Sequence, residues 1–210
     1  MISYKAADIQ QWERFYRANF INSLTGFKSI SLIGTANTSG NTNLGLFSSI
    51  VHMGSDPALV GFINRPLKAA PHTIDNIKAT GVYTINHVHE SFLEPAHQAS
   101  AKYPESVSEF DETGLTPEYI DHFTAPFVKE SAIKYALTMQ EIIPITLNDT
   151  FLVIGKIDFV QLEAGVLRPD GFLDIDKAGS LCSNGADAYY NTAFIARYKY
   201  AKPGILPEKI

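Results

Sequence analysis

Two polar clusters within residues 42–78, TNLGLFSSIVHMGSDPALVGFINRPLKAAPHTIDNIK, hold the side chains best suited to chemistry. Thr42, Asn43, Ser48 and Ser49 form the first, and Arg65, His72 and Thr73 form the second. Each lies beside a strand-like run, and the second opens a short helical pattern that passes through Asn76 and Ile77. A phosphate monoester is a dianion near neutral pH and needs charge-assisted donors. A guanidinium such as that of Arg65 offers a bidentate pair. The hydroxyls of Ser48, Ser49 and Thr73 offer further hydrogen bonds. N–H groups at a helix start favour an anion through both geometry and dipole. Strand edges beside that point would hold a flat ring. The set suggests a phosphorylated planar cofactor without any Gly-rich nucleotide motif. The plainer alternative makes Ser48 and Ser49 ordinary strand residues, Thr73 a helix N-cap and Arg65 a solvated side chain. Spacing alone leaves both open.

The elements that must position these residues can be read from periodicity. Ile9, Trp12, Phe15, Tyr16 and Phe20 recur at helical spacing over 8–21. They predict an amphipathic helix, N-capped by Asp8, that packs its aromatic stripe on the rest of the fold. KSISLIGTAN (28–37), LGLFSSIVHM (44–53), ALVGFIN (58–64) and VYTINHV (82–88) predict strands, with turns at 39–41 and 55–57. Thr73 starts the helix TIDNIKAT, closed by Gly81. From 90 to 130 the pattern changes: Pro95, Pro104, Pro117 and Pro126 interrupt it, and AHQASAKY (96–103) reads as helix. An excursion of about forty residues covers a site or makes a subunit contact. Strands return at 132–145 and 151–163, and 172–178 and 192–201 extend the sheet. Short strands without strand–helix alternation predict an all-β fold with peripheral helices, a closed or partly closed antiparallel barrel. The chain, 1–210, reads as one domain.

Composition narrows the function classes. A net charge of −5 argues against nucleic acid or an acidic membrane surface as partner. One cysteine, Cys182, fits a reducing compartment, and the opening MISYKAADIQQWERFYRANF lacks a signal pattern, so a cytoplasmic location is expected. No apolar run reaches the ~18 residues of a spanning helix. His87, His89 and His97, with Glu90 or Glu94, are candidates for a metal site, but no further His or Cys completes a familiar spacing, and no metal is expected. No G-x-S-x-G elbow supports a hydrolase triad. Cys182 has no basic neighbour to activate it. Tyr189, Tyr190, Tyr198 and Tyr200 suit core or interface.

N-x-G-x-F-S-S (43–49), Arg65-Pro66, H-T-x-x-N-I (72–77) and GVYTIN (81–86) come in an order that resembles the flavin reductase-like family of FMN-binding split barrels. AHQASAKYP, SEFDETGLTP (108–117), AP (125–126), DAYY (187–190) and ARYKYAKPG (196–204) extend the resemblance from about residue 27 to 204. It implies an antiparallel split β-barrel with Greek-key character that binds FMN, with FAD less favoured. It implies that Asn43 and Leu44 present main-chain groups to the ring edge. Ser48 and Ser49 would lie near the ribityl chain or phosphate, and Arg65, His72 and Thr73 would hold the phosphate. Thr35 and Asn37 would line the ring, and Asn76 would be structural. The implied activity is hydride transfer from NAD(P)H to flavin in a homodimer, with no catalytic side chain. The alternatives are an FMN-binding electron carrier without its own NAD(P)H site, and a flavin-free interaction module.

Overall fold

A computed structural model describes residues 1–69 and 71–210. The chain opens with two helices, α1 (Ala6–Gln10) and α2 (Arg14–Leu24), where the spacing predicts one. Glu13 causes the break, because its carboxylate accepts from the N–H groups of Phe15 and Tyr16 and caps α2. Asp8 is not the N-cap; it sits inside α1 and accepts from the Lys5 N–H. The aromatic stripe does not pack on the sheet either, since neither helix has a buried residue. Trp12 instead lies edge-on to Tyr4, Tyr16 and Phe20, at centroid distances of 4.9, 5.1 and 5.0 Å.

The strands follow: β1 (Lys28–Ser29), β2 (Ser31–Ala36), β3 (Thr42–Phe47), β4 (Ile50–Ser55) and β5 (Ala58–Asn64). Helix α3 (His72–Thr80) ends at Gly81, whose φ of 77° suits a residue without Cβ, and leads into β6 (Val82–His87). The excursion holds α4 (Leu93–Gln98), α5 (Glu109–Thr113) and a short pair, β7 (Pro117–Glu118) and β8 (Phe127–Val128). The long hairpin of β9 (Ile133–Ile145) and β10 (Thr150–Leu162) comes next, then β11 (Cys182–Asn184) and β12 (Ala188–Tyr190). Pro95 does not interrupt the structure as predicted. It occupies the first turn of α4, where its missing N–H has no helical partner to lose, and the helix ends at Gln98.

Seven strands form one antiparallel sheet in the order β3-β2-β6-β9-β10-β5-β4. The run β6-β9-β10-β5 has Greek-key order. The sheet's two edges, β3 and β4, are consecutive in the chain and joined only by Ser48-Ser49. The sheet must therefore curl until its edges meet at that end, which makes a split barrel. The predicted strand 44–53 is in fact these two edges. The break falls on two serines, residues with little to gain from a pleated surface. The Ser49 carbonyl accepts from the Ile63 N–H at 3.0 Å.

β2 is buried along its whole length because its two faces meet two layers. Ile33 packs with Phe62, Tyr83, Ile85, Leu137 and Val153, and with Ile74 and Ile77 of α3. Leu32 packs on the other face with Leu44 and with Phe92, Ala96, Ala99 and Phe110 of the excursion. Gly34 permits that second layer, since a Cβ there would strike the Pro126 carbonyl oxygen. The same carbonyl accepts from Thr84 Oγ1 at 2.6 Å, and Asn86 Oδ1 accepts from the Val128 N–H at 2.9 Å.

The segments 172–178 and 192–201 do not extend the main sheet, and carry only the isolated bridges Leu167–Leu173 and Tyr198–Lys209. Arg168 folds the first back on itself by donating to Asp174 at 2.7 Å, and its guanidinium lies over Phe194 of the second. β11 pairs with β1 on one side and β12 on the other in a small second sheet. No helix among the described residues is long and apolar enough to cross a membrane.

Candidate functional site

Asn43, Leu44, Ser48, Ser49, Arg65, His72 and Thr73 all line one cavity of about 520 Å³. Four pieces of chain build most of it, with Ile30 and Ala186 completing the lining. The exposed edge of β3 supplies Asn43 to Phe47, and the β3–β4 link supplies Ser48 and Ser49. The connection after β5 supplies Arg65, Lys68 and the start of α3. The excursion supplies Ala99 to Tyr103 and Glu109.

The start of α3 is arranged for an anion. Its N-cap is Pro71, not Thr73, and no side chain caps it. His72 and Thr73 are the first two helical residues, so their N–H groups have no carbonyl within the helix. The Thr73 hydroxyl accepts from Asn43 Nδ2 at 3.1 Å, which leaves its own proton to donate. Asn43 Nδ2 also reaches Thr35 Oγ1 at 3.3 Å, and Asn76 Nδ2 reaches the same oxygen at 3.1 Å. This network ties β2, β3 and α3 together, and gives Asn76 the structural place its position on the helix predicts. Thr35 is wholly buried beneath it and does not line the cavity. Asn37 lines a small polar recess beside it, with His72 and Glu109.

The β3 edge differs from expectation at Leu44. Its N–H donates to Glu109 Oε2 at 2.8 Å, and its side chain is fully buried. Leu44 therefore has no N–H left for a ligand. Alternation along an antiparallel strand then turns the Asn43 main chain toward β2 and the Leu46 main chain outward. Asn43 contributes its side chain instead, and Leu46 carries the outward groups the sequence reading assigned two residues earlier.

Glu109 was not legible as a site residue. Ser108 N-caps α5, so Glu109 reads as an ordinary first-turn carboxylate. In the fold it is only 6% exposed. Burial pushes its carboxyl above the usual range, against the opposing pull of the Leu44 N–H, its own N–H and nearby His72. A second contact, Thr42 Oγ1 to Ser108 Oγ at 2.6 Å, clasps the same two segments. Lys68, Lys102 and Tyr103 also line the cavity and were missed. Nothing in their local sequence separates them from solvated surface. Arg65, Lys68 and Lys102 form no ion pair among the described residues.

The three histidines go separate ways. His87 Nδ1 contacts Ser180 Oγ at 2.9 Å, His89 Nδ1 contacts Ser91 Oγ at 2.9 Å, and His97 Nδ1 contacts the Tyr189 hydroxyl at 2.6 Å. No group of three or more His, Cys, Asp or Glu side chains suited to a metal ion occurs among the described residues. Burial raises the Cys182 thiol, and its sulfur lies 3.6 Å from the Tyr190 carbonyl oxygen.

Comparison with known proteins agrees with this architecture. The family profile described as "Flavin reductase like domain" matches residues 26–178. A structure from Shewanella frigidimarina NCIMB 400, described as a flavin reductase with a split-barrel domain, is 46% identical. It aligns over 96% of this chain and 100% of its own, with a TM-score of 0.92. The flavoredoxin of Desulfovibrio vulgaris (Miyazaki F) is 24% identical over 85% of this chain and 92% of its own, with a TM-score of 0.71. An FMN-binding protein from Thermus thermophilus shares the fold at 17% identity, over 93% of this chain and 99% of its own, with a TM-score of 0.70. A curated relative from Aquifex aeolicus (strain VF5) is 24% identical over 80% of this chain and 85% of its own. With the matched profile spanning most of its length, the chain belongs to the flavin reductase-like family.

Proposed function

We propose that this chain is an FMN-dependent oxidoreductase that takes hydride from NAD(P)H, working as a homodimer. The observation that carries the reading is the convergence of Arg65, Ser48, Ser49, Thr73 and an uncapped helix start on one cavity of about 520 Å³. This donor set fits a phosphate monoester next to an open strand edge, and so fits FMN better than a flavin without phosphate. The FMN-binding protein of Thermus thermophilus, with its similar fold, supports the same choice.

Bound FMN supplies the hydride-accepting ring, and the protein supplies binding, orientation and electrostatics. Arg65 would pair with the phosphate, and Ser48, Ser49 and Thr73 would donate hydroxyl protons to it. His72 and Thr73 add main-chain N–H groups under a favourable helix dipole. The outward N–H and carbonyl of Leu46 would be available to the edge of the ring. Glu109 keeps the Leu44 N–H occupied and ties the excursion to the β3 edge. The wall from Ala99 to Tyr103 restricts water on one side. Hydride transfer from one ring to another would need no proton donor or acceptor from the protein, so no side chain is assigned as acid or base.

Absorbance titration tests the reading. Arg65→Ala weakens FMN binding by about 2 kcal/mol or more, the scale of a lost charge-assisted hydrogen bond. Riboflavin, which lacks the phosphate, binds the parent much more weakly than FMN. Equal affinity for the two flavins removes the phosphate argument. Anaerobic NADH or NADPH then bleaches the bound flavin. A flavin that binds but stays oxidised under both identifies an electron carrier without its own NAD(P)H site.

A further inference from the structure

Lys68 and Lys102 line the same cavity as Arg65 but come from different segments. Lys68 lies in the connection from β5 to α3, and Lys102 lies in the connection from α4 to α5. Both side chains are exposed at the cavity, and neither has an ion-pair partner among the described residues. Three cations against one carboxylate in the lining make a local excess of positive charge in a chain of net charge −5. Their mutual repulsion favours an anionic ligand.

The single carboxylate in the lining does not offset them. Glu109 is committed to the Leu44 N–H, and its burial favours the neutral form. One phosphate dianion does not account for them either. It is met by Arg65, three hydroxyls and the start of α3, and two ammonium groups remain. We propose that Lys68 and Lys102 form a second phosphate subsite in this cavity, which takes the phosphates of the nicotinamide dinucleotide reductant. The inference rests on the flavin reading of the cavity.

The two kinds of cation suit two kinds of ligand. The planar fork of Arg65 suits a resident phosphate held in one geometry. An ammonium on a flexible four-carbon stem suits a phosphate that enters and leaves. A 2′-phosphate adds charge that NADH lacks, so the lysines favour NADPH.

Calorimetric titration of the full chain with adenosine 2′,5′-bisphosphate, before and after FMN saturation, tests this. The FMN-saturated parent binds the bisphosphate, and binds 5′-AMP less tightly. Lys68→Ser/Lys102→Ser binds the bisphosphate at least about tenfold more weakly, yet keeps FMN affinity within about threefold, which also reports that it is folded. Loss of bisphosphate binding on FMN saturation overturns the proposal, because it means a single phosphate site. Undiminished bisphosphate binding by the double variant overturns it too. FAD separates the two sources of a second phosphate. A double variant that loses FAD affinity but keeps the bisphosphate assigns the subsite to a flavin dinucleotide and overturns its assignment to the reductant. If the parent binds no FMN, the flavin reading alone fails, and the bisphosphate titration still reads the lysines. Binding lost in the double variant then supports the subsite, and binding retained overturns it.

Discussion

Glu109 is the residue on which the excursion and the sheet edge both depend. Its carboxylate is the acceptor for a buried main-chain N–H at Leu44. Glu109→Gln preserves an acceptor of the same shape and leaves stability close to the parent. Glu109→Leu strands the N–H without a partner and costs about 1–3 kcal/mol in chemical denaturation. A second residue sets a pH dependence. Burial lowers the His87 imidazole from 6.5 to about 4. Between those values the unfolded chain binds a proton that the folded chain does not. Stability therefore falls as pH drops from about 6.5 to about 4, and this contribution is flat below. Glu109 runs the other way, because its raised carboxyl makes its contribution shrink as pH rises. The His87 effect is isolated by comparison with His87→Gln, whose denaturation midpoint loses less over that window. Equal losses in both proteins assign the acid sensitivity elsewhere.

At the scale of elements, the excursion is held to the sheet by Gly34 as much as by its apolar contacts. Gly34→Ala places a methyl against the Pro126 carbonyl and the Thr84 hydroxyl. Repacking at such an overfilled point costs about 1–3 kcal/mol. Limited proteolysis checks the direction, with faster cleavage in 90–130 than in the parent. The elements themselves were unevenly legible. Strands β2, β5, β6, β9 and β10 were clear from their β-branched and aromatic runs. The helix α3 and its Gly81 stop were also clear. The first helix was misread as continuous because Glu13 looks like any exposed helix residue until its carboxylate folds back on Phe15 and Tyr16. The run 44–53 was misread as one strand because hydrophobicity continues across Ser48 and Ser49. The curling of a seven-stranded sheet decides the break there, and that is a property of strands far away in sequence. Ser48, Ser49, Arg65 and Thr73 stood out as candidates by type, since hydroxyls and a guanidinium beside strand edges are an unusual concentration, and the fold gathers them on one cavity. Asn43 and Leu44 were named only through the family resemblance. Glu109 was not legible, because its partner Leu44 lies 65 positions away.

Across the whole molecule, apolar surface is concentrated at the two ends of the chain. Phe15, Leu24 and Phe27 are exposed near the start, and Ile195 and Tyr200 are 93% and 92% exposed near the end. A large uncovered apolar surface is the usual mark of an interface. The proposed homodimer covers it. Sedimentation at micromolar protein then gives twice the 23.1 kDa chain mass. A sharp 23.1 kDa species with FMN bound removes the dimer from the proposal.

The walls of the cavity are not equally free to change. Ser48-Ser49 spans the meeting edges of the barrel with two residues, and any insertion there would force the closure apart. The wall from Ala99 to Tyr103 belongs to a connection between two short helices, outside every strand pairing. Loop-closure entropy grows slowly, by about 0.6 kcal/mol for each doubling of length. Descendants of this chain can therefore gain or lose residues around 100–107, between buried Ala99 and the Ser108 clasp, with little effect on the barrel. One side of the binding chamber is set by topology and is conservative, while the other is open to variation. Under the proposed function, divergence in which molecules receive the electrons is expected to accumulate as length and sequence changes in that single stretch, Lys102 included, while Arg65, the two serines and the start of α3 stay as they are.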